Sequence, residues 1–259
     1  MAADNLAALK ANPYPGRLII AGMDEIGKNL VQVYALMGRS PKSRNRFLVL
    51  DPKKPGKVKV EVAFPSLLGE NEDLSLIIYT AMDQEVEDNE YGRYVVTNGA
   101  HTDAALENHL IYLSGSYSYE PDKPNYTPRI ASDFNIDFSV ENSYYNRIAG
   151  MCLLKRSPFA GEKDSLDNRR ETDVYIYTLE TAPGFGYCIH TYTSDGNPLP
   201  SFKGDPYIVP LAGDIEQIAR MIWDNLNEEN LISLAVKLID ISTGEVQVKI
   251  INKYGQVKE

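Results

Sequence analysis

Leu231-Ile232-Ser233-Leu234-Ala235-Val236-Lys237-Leu238-Ile239-Asp240-Ile241, then Ser242-Thr243-Gly244, then Val246-Gln247-Val248-Lys249-Ile250-Ile251: the reading of this stretch decides the fold. Two apolar runs meet across a short Ser-Thr-Gly connection, which predicts an antiparallel hairpin. Just upstream, Ile215, Ile218, Ala219, Ile222, Trp223 and Leu226 recur at helical spacing behind Asp214, a helix-capping residue, with Glu216 in the first turn. The Trp223 stripe therefore reads as core. Toward the N-terminus, residues 17–21, 30–36 and 47–50 read as a meander of strands bounded by Gly, Pro or charged turns. Val58, Val60 and Val62 alternate with Lys59 and Glu61, the period of a half-buried strand. Residues 74–82 fit a strand or a helix. Residues 92–97 read as a strand ending at Asn98-Gly99, after which Ala105, Leu106, His109, Leu110 and Leu113 predict a helix over 103–113. Further strands are expected at 148–154, 174–179 and 187–193, around a charged loop at 161–171. No repeat, low-complexity tract or linker divides the chain. The expectation is one α+β domain spanning residues 1–259, with helices covering faces of a largely antiparallel sheet system.

The 259 residues are 43% hydrophobic, enough for a full core. Lys and Arg number 26 against 36 Asp and Glu, a formal charge of -10, so the overall field repels nucleic acid and anionic membrane. A compact mononucleotide is not excluded, because a few arginines in one cleft reverse the local potential. Cys152 and Cys188 are too few for a disulfide framework and read as buried thiols suited to a reducing cytoplasm. Residues 1–12 lack an apolar signal segment and no run reaches the length of a membrane span, so the expected location is cytoplasmic. On that expectation the sequon-like Asn125-Tyr126-Thr127 goes unglycosylated.

Three clusters carry candidate chemistry. Gly38-Arg39-Ser40-Pro41-Lys42-Ser43-Arg44-Asn45-Arg46 packs four cations and two hydroxyls between two strands, a composition suited to an anion, although an isolated cluster of this kind is more often a solvated basic turn and the anion reading needs support from elsewhere in the chain. Thr97-Asn98-Gly99-Ala100-His101-Thr102-Asp103 crowds polar groups at a strand-to-helix junction, where Asn98 can orient a carbonyl, Gly99 admits a close ligand, and His101 or Asp103 can exchange protons. The plain alternative there is a turn followed by a helix cap. In Asn125-Tyr126-Thr127-Pro128-Arg129, Pro128 stiffens the backbone before Arg129, a candidate clamp or the partner of one surface ion pair. Near the N-terminus, Asn12-Pro13-Tyr14-Pro15-Gly16-Arg17 is rigid punctuation. The histidines at 101, 109 and 190 lack zinc spacing, Gly184-Phe185-Gly186 lacks a dinucleotide fingerprint, and no Walker or nucleophile-elbow motif occurs.

In order and content, residues 12–17, Gly38-Arg39-Ser40 with Asn45-Arg46, Val96-Thr97-Asn98-Gly99-Ala100-His101-Thr102-Asp103 and Tyr126-Thr127-Pro128-Arg129-Ile130 resemble the signature blocks of archaeal-type IMP cyclohydrolases and their bacterial relatives. Residues 184–202 look like a segment of the longer, bacterial members. The resemblance implies a four-layer αββα sandwich like that of the N-terminal-nucleophile hydrolases but without self-processing, consistent with a chain that begins at Met1 rather than a freed nucleophile. It also implies ring closure of 5-formamidoimidazole-4-carboxamide ribonucleotide to IMP and water, with no cofactor, no metal and no formyl-transferase domain. On this reading Arg17, Arg39, Ser40, Asn45, Arg46, Gly99 and Arg129 are candidates for substrate and phosphate binding. Asn98, His101, Asp103, Tyr126 and Tyr14 are candidates for the chemistry. The expected partner is a small purine nucleotide, with self-association into a homo-oligomer left open. Two other functions fit the same residues: nucleotide binding without turnover, and hydrolysis of a small amide or cyclic amidine.

Overall fold

The computed structural model describes residues 1–67, 74–88, 90–108, 110, 117–140, 147–161 and 171–254. Its strands are β1 (Arg17–Met23), β2 (Asn29–Met37), β3 (Arg46–Leu50), β4 (Val58–Val62), β5 (Tyr79–Glu87), β6 (Tyr91–Thr97), β7 (Arg129–Asp137), β8 (Arg147–Arg156), β9 (Thr172–Leu179), β10 (Phe185–His190), β11 (Tyr207–Pro210), β12 (Leu231–Asp240) and β13 (Val246–Asn252). The helices are α1 (Ala2–Ala11), α2 (Pro41–Arg44), α3 (Thr102–Glu107) and α4 (Ile215–Asp224).

The strands form two antiparallel sheets. β3 to β9 lie side by side in chain order, an uninterrupted seven-stranded meander. The six-stranded sheet has the order β11-β10-β1-β2-β12-β13. The chain thus builds a central hairpin from β1 and β2, leaves to make the whole second sheet, and returns to flank that hairpin on both sides. The terminal hairpin read from sequence is the β12–β13 ladder, with Val236 opposite Lys249 and Ile239 opposite Val246.

Period-two alternation divides each strand between two cores. Ile19, Ala21 and Met23 of β1 face Tyr94, Val96, Phe134 and Ile136 across the space between the sheets. Leu18 and Ile20 point outward against Leu9 of α1 and Ile218, Ala219 and Ile222 of α4. Asp214 caps α4 by accepting from Gln217 N–H while the Gln217 side chain returns to the Asp214 backbone, a reciprocal cap worth about 1 kcal/mol. On the other side, Ala105 and Leu106 of α3 cover Val95, Ala131, Cys152 and Leu154. The layers therefore run helix, sheet, sheet, helix, an α+β sandwich.

Four expectations need correction. Residues 1–12, read only as lacking a targeting signal, form α1, whose Leu9 is buried. Residues 74–82 divide into a 3-10 turn at Leu74–Leu76 and the start of β5. The helix expected over 103–113 ends at Glu107, where Asn108 turns extended; His109 and residues 111–116 lie outside the described residues. The strand expected at 187–193 is β10, ending at His190 because Thr191 and Tyr192 bend back toward Pro15 and Arg17. Cys152 and Cys188 are buried free thiols, both pushed up to about 12 by burial.

Candidate functional site

Residues 38–45 carry the chain from β2 of one sheet to β3 of the other, so the basic cluster sits at a mouth between the sheets. Gly38 makes this crossover possible, since a Cβ there would come within 2.7 Å of the Ser43 backbone. Ser40 caps the single turn of α2 by accepting from Ser43 N–H, and the Ser43 hydroxyl answers to Ser40 N–H. Arg46, at the start of β3, is buried and donates to the carbonyls of Ser43 and Met37, tying both ends of the crossover together.

This mouth opens into a cavity of about 640 Å³ lined by Tyr14, Arg17, Arg39, Ser40, Lys42, Ser43, Arg46, Leu76, Ile77, Glu120, Asp122, Asn125, Tyr192 and Leu199. Four cations against two carboxylates make it locally positive in a chain whose net charge is -10. The volume suits a small-molecule ligand of nucleotide size. At the rim, the Arg39 guanidinium lies 4.9 Å over the Tyr14 ring and pairs with Asp195 and the Gly196 carbonyl. Tyr14 in turn stacks on Tyr192 at 5.8 Å.

At the floor lies Glu120, a residue that sequence reading did not single out. Both of its oxygens accept from Arg17 Nη2 at 2.6 Å, and Arg129 Nη1 stands 3.9 Å from Oε1. Burial pushes the Glu120 carboxyl above the ordinary carboxylate range, against the pull of Arg17 and Arg129. Burial works against the charge on Arg17 more than any single neighbour supports it, but Glu120 together with Tyr79, Tyr192 and Tyr34 outweighs burial and keeps the guanidinium protonated. The Nε–H groups of both Arg17 and Arg129 are buried and have no hydrogen-bond partner among the described residues. Beside them, Thr127 donates its hydroxyl proton to Asp122, so it accepts from the Tyr192 hydroxyl. Burial raises Tyr192 well above the usual phenol range.

The strand-to-helix block lies one layer behind this floor. Thr97 closes β6, and the Asn98 carboxamide donates to Pro128 O and accepts from Ile130 N–H, pinning the loop before Arg129 against the end of β6. Gly99 leaves room for the charged groups, since a Cβ there would sit 2.8 Å from Arg129 Nη1 and 3.2 Å from Glu120 Oε1. His101 is fully buried, 3.1 Å from Ile130 O through Nε2 and 3.4 Å from Arg129 Nη1 through Nδ1. Burial first, and Arg129 second, hold its pKa down to about 3, so the ring is neutral.

The structure thus brings Tyr14, Arg17, Arg39, Ser40 and Arg46 to one cavity, with Asn98, Gly99, His101 and Arg129 stacked behind it. Three other candidates stand apart. Both ends of the Asn45 carboxamide are taken by the Phe64 backbone, and the residue lines a neighbouring, more apolar cavity of about 560 Å³. Asp103 is exposed on α3. Tyr126 adopts a left-handed backbone with φ of 45°, meets Tyr119 edge-on, and lies under Arg156 at 4.5 Å. Among the described residues no group of three or more His, Cys, Asp or Glu side chains is arranged to hold a metal ion, and no helix is long and apolar enough to cross a membrane.

The family model for IMP cyclohydrolase-like proteins matches residues 14–244, which takes in the rim, the floor and the layer behind it. No curated protein and no solved structure matches the chain. The chain belongs to the IMP cyclohydrolase-like family.

Proposed function

We propose, from this family membership and the chemistry of the cavity, that the protein closes the second ring of a purine nucleotide, converting 5-formamidoimidazole-4-carboxamide ribonucleotide to IMP and water. The observation that carries the proposal is a buried carboxyl, Glu120, held by an arginine at the floor of a nucleotide-sized cavity with cations at its rim. Arg39, Lys42 and the Ser40–Ser43 hydroxyls are the phosphate side of the site. Tyr14, Leu76, Ile77 and Leu199 offer apolar surface to the ribose and base.

Ring closure joins the carboxamide nitrogen to the formyl carbon. One proton leaves each of the two nitrogens, and both depart with the formyl oxygen as water. The carboxamide is a poor nucleophile because resonance holds its lone pair, so the site must align the two groups and handle protons. Glu120 is the group to shuttle them, since burial brings its affinity for a proton nearer neutrality. The unpartnered Nε–H groups of Arg17 and Arg129 suit the negative charge that develops on the formyl oxygen. Asn98 holds the Arg129 loop in register.

The test is ultraviolet detection of IMP when purified protein is given the formamido-ribotide. Turnover is expected in the wild type, and Glu120→Gln is expected to lower kcat by about 10²- to 10⁴-fold, the range for loss of a positioned acid–base group. Saturable IMP binding with no turnover would leave a binding protein, and hydrolysis of a small amide instead would leave the hydrolase reading.

A further inference from the structure

The imidazole of His101 has an assigned job on each nitrogen. A carbonyl oxygen only accepts, so the Nε2 that lies 3.1 Å from Ile130 O carries the proton. A guanidinium only donates, so the Nδ1 that lies 3.4 Å from Arg129 Nη1 presents its lone pair. Both nitrogens are therefore engaged, and neither is open to a substrate. The ring is fully buried, tilted against Tyr117 at 5.8 Å, and Tyr117 also lies 5.4 Å under the Arg129 guanidinium. Arg129 is fixed from behind by His101 and from one face by Tyr117, while its Nη1 points on toward Glu120.

We infer that His101 is a positioning residue that acts through Arg129 on Glu120, and takes no part in proton transfer with the substrate. The line runs from the Ile130 carbonyl through the imidazole and the Arg129 guanidinium to the Glu120 carboxylate, which Arg17 grips from the opposite side. Gly99 is the space through which the line passes, with its would-be Cβ 2.8 Å from Arg129, 3.2 Å from Glu120 and 3.6 Å from His101 Nδ1. The charged and titratable groups that face Glu120 are Arg17, Arg129, Asp122 and Tyr192, and a protonated His101 would add a second cation against Arg129. The neutral ring is thus a condition of the arrangement.

A carboxamide separates positioning from proton transfer, because it offers one donor and one acceptor, as the neutral imidazole does, yet carries no exchangeable charge near neutrality. The kinetic arm rests on the ring-closure reading. His101→Ala is expected to lower kcat by about 100-fold, the scale of a misplaced reacting group, with KM little changed. His101→Gln is expected to recover most of that loss. A folded His101→Gln protein as impaired as His101→Ala would overturn the inference. The spectroscopic arm needs neither turnover nor a variant: in ¹⁵N-correlated spectra of the wild-type imidazole, His101 is expected to stay in the Nε2–H form, untitrated, between about pH 5 and 8. An Nδ1–H tautomer, or a midpoint near neutrality, would overturn it. If the wild type fails to turn over, the ring-closure reading falls, and the imidazole spectrum still decides the role of His101.

Discussion

Arg39 and Asp195 meet at the rim with 37% and 47% of their side chains exposed, whereas Arg17 and Glu120 meet at the floor with 11% and 3% exposed. The pairs are chemically alike and physically opposite. At the rim, water screens the attraction, so Asp195 can be exchanged for another anion at small cost. At the floor, neither charge has water to fall back on, and removing one strands the other. A rim that exchanges anions suits binding and release of a phosphate. A floor that does not exchange them suits a reacting group whose geometry must be settled before substrate arrives.

Breaking one pair at a time sharpens that contrast. Arg17→Ala is expected to destabilise the protein by about 3 kcal/mol, since it leaves the buried Glu120 carboxylate without its two short hydrogen bonds and with only Arg129, 3.9 Å away, against its charge. Arg39→Ala is expected to cost under about 1 kcal/mol in the same urea titration. Comparable losses for the two variants would erase the distinction between rim and floor.

A smaller effect separates phosphate binding from base binding. Arg39→Ala is expected to weaken IMP by about 1.5 kcal/mol in calorimetry, the lower end for a charge-assisted contact on a partly exposed side chain, and to leave inosine nearly unchanged. Asp195→Asn should move IMP affinity the other way by under about 1 kcal/mol, because it removes the carboxylate that competes with phosphate for Arg39. Equal losses for IMP and inosine in Arg39→Ala would take Arg39 out of the phosphate site.

The same contrast explains what could be read from the sequence. The rim was legible as a basic cluster because Arg39, Ser40, Lys42, Ser43 and Arg46 lie within eight consecutive positions, a composition that fits an anion site or a solvated turn and that the fold sets on one cavity. The floor was not, because Glu120 comes from a loop 103 positions from Arg17, and the acids Glu120 and Asp122 on either side of Pro121 resemble any solvated loop residues until the fold buries Glu120. The block around Asn98 and His101 was legible as a polar cluster, but not in its contacts. Its spacing announces polar groups at a strand end, but only the positions of Pro128, Ile130 and Arg129 reveal what those groups bond. Strand patterning was clear where β-branched residues alternate or run, as in β4 and β12. It was weak for β11, four residues ending in Pro210, and for α1, where Ala2, Ala7 and Ala8 give little apolar contrast and Met1 offers no side-chain cap.

The most direct measurement is a crystal structure with IMP bound. The account predicts the phosphate within hydrogen-bonding distance of Arg39 and Lys42 or the Ser40–Ser43 hydroxyls, and the pyrimidine edge of the base turned down toward Glu120 and the free Nε–H groups of Arg17 and Arg129. IMP bound with its phosphate on Arg17 and its base at the rim, or seated in the cavity between Lys28, Lys54 and Gln84 at the far end of β2, would contradict it.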